Sequence, residues 1–242
     1  MALVDYGIDG PKEMQTYLWR GATFFALGLG VFLMNRRDYP GPAGTLFGVL
    51  GVIGLAFLAL GGLWYWTSKN GKLKLRDDIV ALLDLKGDEK VLDVGCGRGL
   101  LLVGMAKKLT KGRATGVDIW SADDLSGNSK EATLANVKAE GLSADRVKIE
   151  TGDATSLPFE AGSFDAVVSG LCLHNIPGTE ARAKAVSEIY RVAKAGGKIA
   201  IFDLFKAGEY SARLRELGAA EVVEEGLSYG VLPGKIVRAK KA

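Results

Sequence analysis

The sequence predicts an α/β protein: a doubly wound, mostly parallel sheet of seven strands, closed by a C-terminal antiparallel hairpin and preceded by two transmembrane helices. Three observations predict it. From Leu73 onward, short apolar runs alternate with stretches of helical spacing. The first of these runs passes directly into a glycine-rich turn, VLDVGCGRG at 91–99. Ahead of both lie two long stretches without charge. The 242 residues therefore divide into a membrane hairpin over 1–70 and an α/β domain over 71–242.

The first uncharged stretch, Gly21–Met34, becomes long enough to span a bilayer, about 17–34, when Tyr17, Leu18, Trp19 and a snorkelling Arg20 are included. The second, 45–66, is uncharged throughout and ends in the interfacial aromatics of LWYW. NRRDYPGPAG between them allows only a tight hairpin, and Gly44 with Gly48 gives the spacing that lets two helices approach closely. Arg36 and Arg37 lie in this loop, whereas Lys12, Lys69, Lys72, Lys74 and Arg76 flank the outer ends. That asymmetry predicts an integral membrane protein with both ends, and the α/β domain, in the cytoplasm. A second span and the lack of a small-residue cleavage site argue against a signal peptide.

LKLRDDIVALLDL reads as the helix that opens the domain. KVLDV, RATGVDI, RVKIE, FDAVVS and GKIAIFD follow as strands with helical stretches between them. This alternation gives a parallel sheet covered by helices on both faces, with ligands at the carboxyl ends of the strands. The tail from EYSARLREL reads as a helix and two strands that close the sheet. The net charge of +3 is spread without a dense basic run, so no nucleic-acid partner is expected. Cys96, Cys172 and the single histidine, His174, lack metal-ligand spacing, so no metal site is expected.

The turn supplies G-x-G-x-G through Gly95, Gly97 and Gly99, and Leu100 stands where the third glycine of a dinucleotide fingerprint would fall. Asp93 just before it is unfavourable for a diphosphate and favourable for an ammonium group. These residues resemble the class I S-adenosylmethionine-dependent methyltransferases, in the branch that includes quinone-biosynthesis and small-molecule enzymes. The resemblance covers about residues 73–242, and it implies a Rossmann-like fold with S-adenosyl-L-methionine as cofactor. It further implies that Asp93, Gly95, Cys96, Gly97 and Gly99 hold the methionine half, that Asp118 of TGVDIW binds the ribose hydroxyls, and that Ile119 and Trp120 cover the adenine. Asp153 of TGDATSLPF, with Ala154, would reach the adenine amino group, and Ser169 at the end of the fourth strand would lie beside the cofactor.

SGLCLHNIP at 169–177 occupies the place where such enzymes put residues next to the transferred methyl. Two readings of His174 stay open: a general base near neutral pH, or a residue that caps the next helix or hydrogen-bonds within the domain. SADDLSGNSKEATLANV after Trp120 is either a lid over the cofactor or a solvated loop. With no insertion large enough for a separate substrate domain, the acceptor is expected to be a small, lipophilic molecule or lipid that reaches the site from the membrane side. The alternatives are a tethered methyltransferase of soluble thiols, amines or metalloids, and a non-catalytic cofactor-binding module. The oligomeric state is not readable from the residues.

Overall fold

The computed structural model describes residues 4–38 and 41–242. Two long helices, α1 (Pro11–Asn35) and α2 (Pro42–Trp66), form an antiparallel pair at the N-terminus. Both are long and apolar enough to cross a membrane, and only 11% and 17% of their most apolar stretches are buried, which sets them apart from core helices. Leu27, Met34, Val52 and Leu55 stand exposed along them. Part of the connecting loop, Tyr39 and Pro40, lies outside the described residues.

The pair closes on Gly21, Gly28, Gly54 and Gly61 and not on the expected Gly48. A Cβ on Gly54 would lie 2.9 Å from the Gly21 carbonyl oxygen, and one on Gly61 would lie 2.6 Å from Leu18, whereas Gly48 faces open space. Helical phase explains the difference: Gly21 and Gly28, and Gly54 and Gly61, each recur after seven residues and so share the contact face. Phe24 stacks on Phe57 along the same seam at 5.9 Å.

No break follows α2. The chain passes through a π-helical turn (Thr67–Gly71) straight into α3 (Lys72–Leu82). The boundary expected at 70–71 therefore falls inside one continuous helical rod, in which TSKNG forms a single widened turn. Thr67 and Ser68 are buried there, and a Cβ on Gly71 would lie 2.8 Å from Gly230 Cα, so the rod docks tightly on the turn between the last two strands.

The α/β part runs β1 (Lys90–Val94), α4 (Leu100–Ala106), β2 (Arg113–Asp118), α5 (Lys130–Ala139), β3 (Val147–Thr151), β4 (Phe164–Gly170), α6 (Thr179–Val192), β5 (Ala193–Asp203), α7 (Ala207–Glu216), β6 (Ala220–Tyr229) and β7 (Leu232–Lys240). The sheet order is β3-β2-β1-β4-β5-β7-β6, with the first five strands parallel and β7 antiparallel to both of its neighbours. Val91, Leu92 and Val94 of β1 are fully buried, as a strand covered on both faces requires. Leu75, Ile79, Leu102 and Met105 fill one face of the sheet, and Val186, Ile189, Tyr210 and Leu214 fill the other. β5 starts four residues earlier than GKIAIFD suggests, through an irregularity between its pairings with Phe164 and Ala166. β1 and β4 stand side by side at the centre, where the order reverses, and the site lies at their carboxyl ends.

Candidate functional site

The glycine turn is bent by backbone that other residues rarely adopt, with φ of +74° at Gly95, +51° at Gly97 and +88° at Gly99. At Gly95 space is also lacking: a Cβ would lie 2.1 Å from the Cys172 Sγ. The turn hangs from β2, since Gly95 and Cys96 donate their N–H groups to the Val117 carbonyl at 2.8 and 3.1 Å. The Gly97 N–H donates to Asp118 Oδ2 at 2.8 Å. Asp118 Oδ1 accepts from the Trp120 N–H at 2.6 Å and from Asn128 Nδ2 at 3.1 Å. The carboxylate thus ties the turn, the end of β2 and the following loop together.

Asp93 is buried and accepts the Leu102 N–H at 2.8 Å, which caps the start of α4. Burial, reinforced by the nearby Asp118 charge and opposed by that hydrogen bond, pushes its carboxyl up to about 7. An acid whose folded pKa lies above its unfolded value of about 3.9 contributes stability that is complete below pH ~4 and lost as pH rises through about 7. The ligand-free chain is accordingly expected to melt at a lower temperature at pH 8 than at pH 5, and Asp93→Asn should flatten that dependence. Parallel slopes for the two chains in a thermal-melt series would remove the assignment.

These groups open onto one cavity of about 960 Å³. Asp93, Gly95, Cys96, Gly97, Asp118, Ile119, Asp153, Ala154 and His174 all lie on its wall. Gly99 does not; it turns the chain into α4 and sits against Thr133. Two further candidates also lie off the wall. Trp120, at φ +64°, turns its indole away and donates Nε1–H to Thr151 Oγ1 at 2.9 Å, leaving Ile119 to face the cavity. Ser169 is buried in the sheet, where its hydroxyl donates to the Val94 carbonyl at 2.8 Å and links β4 to β1. Asp153 is exposed, and its Oδ1 accepts the Thr155 N–H at 2.7 Å in a local turn.

His174 stands in a short 3₁₀ turn (Leu173–Asn175) and does not cap α6, whose N-cap is Gly178 with no side-chain bond. Its Nδ1 lies 3.2 Å from Asp203 Oδ2.

The sequence reading left the loop after Trp120 open as a lid and missed the segment that holds it. Residues 5–10 cross back over the α/β domain and pair with the loop after Trp120. Asp9 bridges Leu125, Ser126 donates its N–H to the Ile8 carbonyl at 3.0 Å, and Gly10 donates to the Asp124 carbonyl at 3.0 Å. Asn136 clamps Asp5 from both sides, with the Asp5 N–H donating to Oδ1 at 2.9 Å and Nδ2 donating to the Asp5 carbonyl at 2.8 Å. Lys72, buried at the start of α3, donates to the Tyr6 and Gly7 carbonyls at 3.0 Å each and pairs with Asp9 at 3.0 Å. The loop lines the cavity through Ser121, Asp123, Asp124, Leu125 and Asn128 and is held by the N-terminal segment.

The far end of the cavity belongs to the helical rod and the last hairpin. Trp64 from the last turn of α2, Leu75 and Ile79 from α3, and Tyr229 and Leu232 line it, and the Trp64 Nε1–H donates to the Asp9 carbonyl at 2.7 Å. One chamber therefore joins the carboxylates beside β1 and β2 to the foot of the long helices, where Trp64, Leu75, Ile79 and Leu232 line it together with Asp9, Glu13, Lys72 and Tyr229.

This fold, with its glycine turn at β1 and a carboxylate ending β2, is that of the S-adenosylmethionine-dependent methyltransferases. A methyltransferase of that class from Aquifex aeolicus superposes with a TM-score of 0.57 over 72% of this chain and 94% of the other, at 21% identity. Residues 92–201 match the family described as a methyltransferase domain. A demethylmenaquinone methyltransferase of Lactiplantibacillus plantarum is 36% identical over 125 residues, 51% of this chain and 48% of its own length. A sterol 4-C-methyltransferase of Caenorhabditis elegans is 35% identical over 138 residues, 57% of this chain and 38% of its own length. The chain thus spans about half or less of the length of these two relatives.

Proposed function

We propose that the chain is a membrane-anchored S-adenosylmethionine-dependent methyltransferase whose acceptor is a small, lipophilic molecule. The observation that carries this reading is the single chamber, which runs from the glycine turn to Trp64, Leu75 and Ile79 on the rod that continues from the hairpin. The names of the relatives, which concern a quinone and a sterol, support a lipophilic acceptor.

The wall fits a ligand that carries a sulfonium and an ammonium. Asp93, Asp118, Asp123, Asp124 and Asp153 line the chamber, as do Asp9 and Glu13, while Arg98 and Lys72 on the same wall are paired, Arg98 with Asp5 and Lys72 with Asp9. In this reading Asp93 and the turn at Gly95–Gly97 hold the methionine half. Asp118 takes the ribose hydroxyls with the lone pairs left beside its three donors, Ile119 covers the adenine, and Asp153 with Ala154 receives the adenine edge. The cofactor supplies a methyl group already activated on sulfur, so the protein's task is alignment, exclusion of water and handling of the acceptor's proton. The roof of residues 5–10 and 121–128 excludes water, and His174 is the base.

The apolar, exposed surface of α1 and α2 supports anchoring, and the basic residues at their outer ends support a cytoplasmic face for the domain. A tethered enzyme for soluble thiols, amines or metalloids is the second reading. To separate them, the full chain in detergent is given methyl-labelled S-adenosylmethionine with either membrane extract or a soluble metabolite pool. Label in the organic phase is the expected result. Label confined to the aqueous or volatile fraction would establish the second reading, and no transfer with either pool, despite cofactor binding, would support a non-catalytic module.

A further inference from the structure

Asp203, the last residue of β5, is 1% exposed and lies behind the cavity wall, where it meets three groups. Its Oδ1 accepts the Phe205 N–H at 3.0 Å, its Oδ2 accepts the Tyr210 hydroxyl at 2.6 Å, and His174 Nδ1 approaches Oδ2 at 3.2 Å. Tyr210 is fully buried on α7. His174, by contrast, keeps 22% of its side chain exposed, lies on the chamber wall, and stands edge-on to Phe205 at 6.0 Å.

We propose that Asp203, fixed by Tyr210, is a positioning residue that holds His174 as the Nδ1–H tautomer with the Nε2 lone pair available to the chamber, so that the methyl acceptor is a proton-bearing heteroatom: a hydroxyl, a phenol or a comparable protic group. This rests on the methyltransferase reading above. An ionised carboxylate only accepts hydrogen bonds, so the imidazole nitrogen that faces it must be the donor. Burial pushes the Asp203 carboxyl upward, but the hydrogen bonds from His174, Tyr210 and Phe205, with the charge of His174 whenever it is protonated, outweigh it and hold the group below the usual carboxylate range. Tyr210 stays a donor, since burial and the Asp203 charge both push its phenol far above the usual range.

The other charges around this network are already paired. Arg182 on α6 binds Glu209 at 2.8 Å and also donates to the Ile176 carbonyl at 3.0 Å, which fastens the loop that carries His174. Neither residue hydrogen-bonds the imidazole among the described contacts. An acceptor that had no proton to lose would gain nothing from this arrangement. For one that has, the heteroatom's lone pair forms the bond to the methyl carbon while the carbon–sulfur pair returns to sulfur, and the acceptor's proton passes to Nε2. The resulting imidazolium lies against the Asp203 carboxylate and later yields its proton to water. The same logic orients the histidine of other acid–base pairs by a buried carboxylate.

Because His174 is the only histidine, nitrogen NMR of the full, histidine-labelled chain in detergent micelles reads one imidazole without overlap. The expected result above pH 8 is a protonated Nδ1 and an unprotonated Nε2, the reverse of the preference of a free histidine side chain in water. Asp203→Asn should invert the pattern, because the amide can present its NH₂ to Nδ1. It should also slow turnover roughly 10²–10⁴-fold, with S-adenosylmethionine affinity unchanged. Tyr210→Phe should keep the tautomer and lose a smaller part of the rate. A dominant Nε2–H form in the unaltered chain overturns the inference even if Asp203→Asn fails to fold, and so does a normal rate in His174→Gln. A chain that binds no S-adenosylmethionine overturns the methyltransferase reading, and this inference with it; a chain that binds it but shows the other tautomer overturns this inference alone.

Discussion

Asp118→Ala is expected to lower the affinity for S-adenosylmethionine by roughly 10²–10⁴-fold, the equivalent of two charge-assisted hydrogen bonds of about 1.5–3 kcal/mol each. The substitution reaches further than the ligand. Asp118 also accepts from the Gly97 N–H, the Trp120 N–H and Asn128, and all three donors lie in or beside the cavity wall. Removing the carboxylate leaves the Gly97 N–H, which is buried, without a partner, so the melting temperature should fall together with the affinity. Asp118→Asn separates the two effects. It keeps one oxygen to accept from the turn but loses the charge, and it should hold most of the stability while binding the cofactor weakly. Calorimetric titration beside a melt of each variant makes the comparison, and wild-type affinity in Asp118→Ala would refute the ribose assignment.

Lys72→Met should release the roof. The ammonium is buried and makes all three of its contacts to residues 6–9: two backbone carbonyls and the Asp9 carboxylate. Its loss leaves Asp9 with Tyr229 as a remaining partner, and breaking a buried pair from one side costs about 3–5 kcal/mol. Asp9 keeps 28% of its side chain exposed, which places the expected value at the lower end of that range. Hydrogen exchange should rise at residues 5–10 and, through the paired backbone, at 121–128, while the central strands stay protected. Asp9→Asn combined with Lys72→Met should recover part of the lost stability, because no carboxylate is then left without its cation. Unchanged exchange in both segments would mean that Asn136 and the Asp9–Leu125 bridge suffice to hold the roof.

The parts of this protein that were legible in the sequence are those set by short-range chemistry. A strand buried on both faces must be a run such as KVLDV, and a turn with three positive φ angles in five residues must be glycine-rich, so β1 and its loop could be read directly. The placement of Asp118 and Asp153 was legible because each ends or follows a strand at the same edge of the sheet. The N-terminal half of the roof was not legible. Asp5 finds Asn136 across 131 positions, and Tyr229 finds Asp9 across 220, and nothing periodic in VDYGIDG announces either partner. Trp120 and Ser169 were misplaced for a related reason: the pattern gives the strand end, but the direction of a side chain there depends on one backbone angle or one hydroxyl bond. Asp203 and Tyr210 did carry a signal, an acidic residue ending β5 followed by an aromatic one turn into α7, but only the distance to His174 gives it meaning.

The rod that begins at Pro42 and ends at Leu82 has a consequence for how the proposed enzyme meets its acceptor. Its helical length is roughly 60 Å, and one end would sit in the bilayer while the other forms part of the chamber. A catalytic domain on a floppy linker samples a hemisphere of solution and meets a membrane-resident molecule only in passing. A domain welded to a stiff spar is held at one altitude above the lipid headgroups with its chamber always facing the same way. Its search for an acceptor is then reduced from three dimensions to two, and the encounter rate is governed by the mole fraction of acceptor in the membrane.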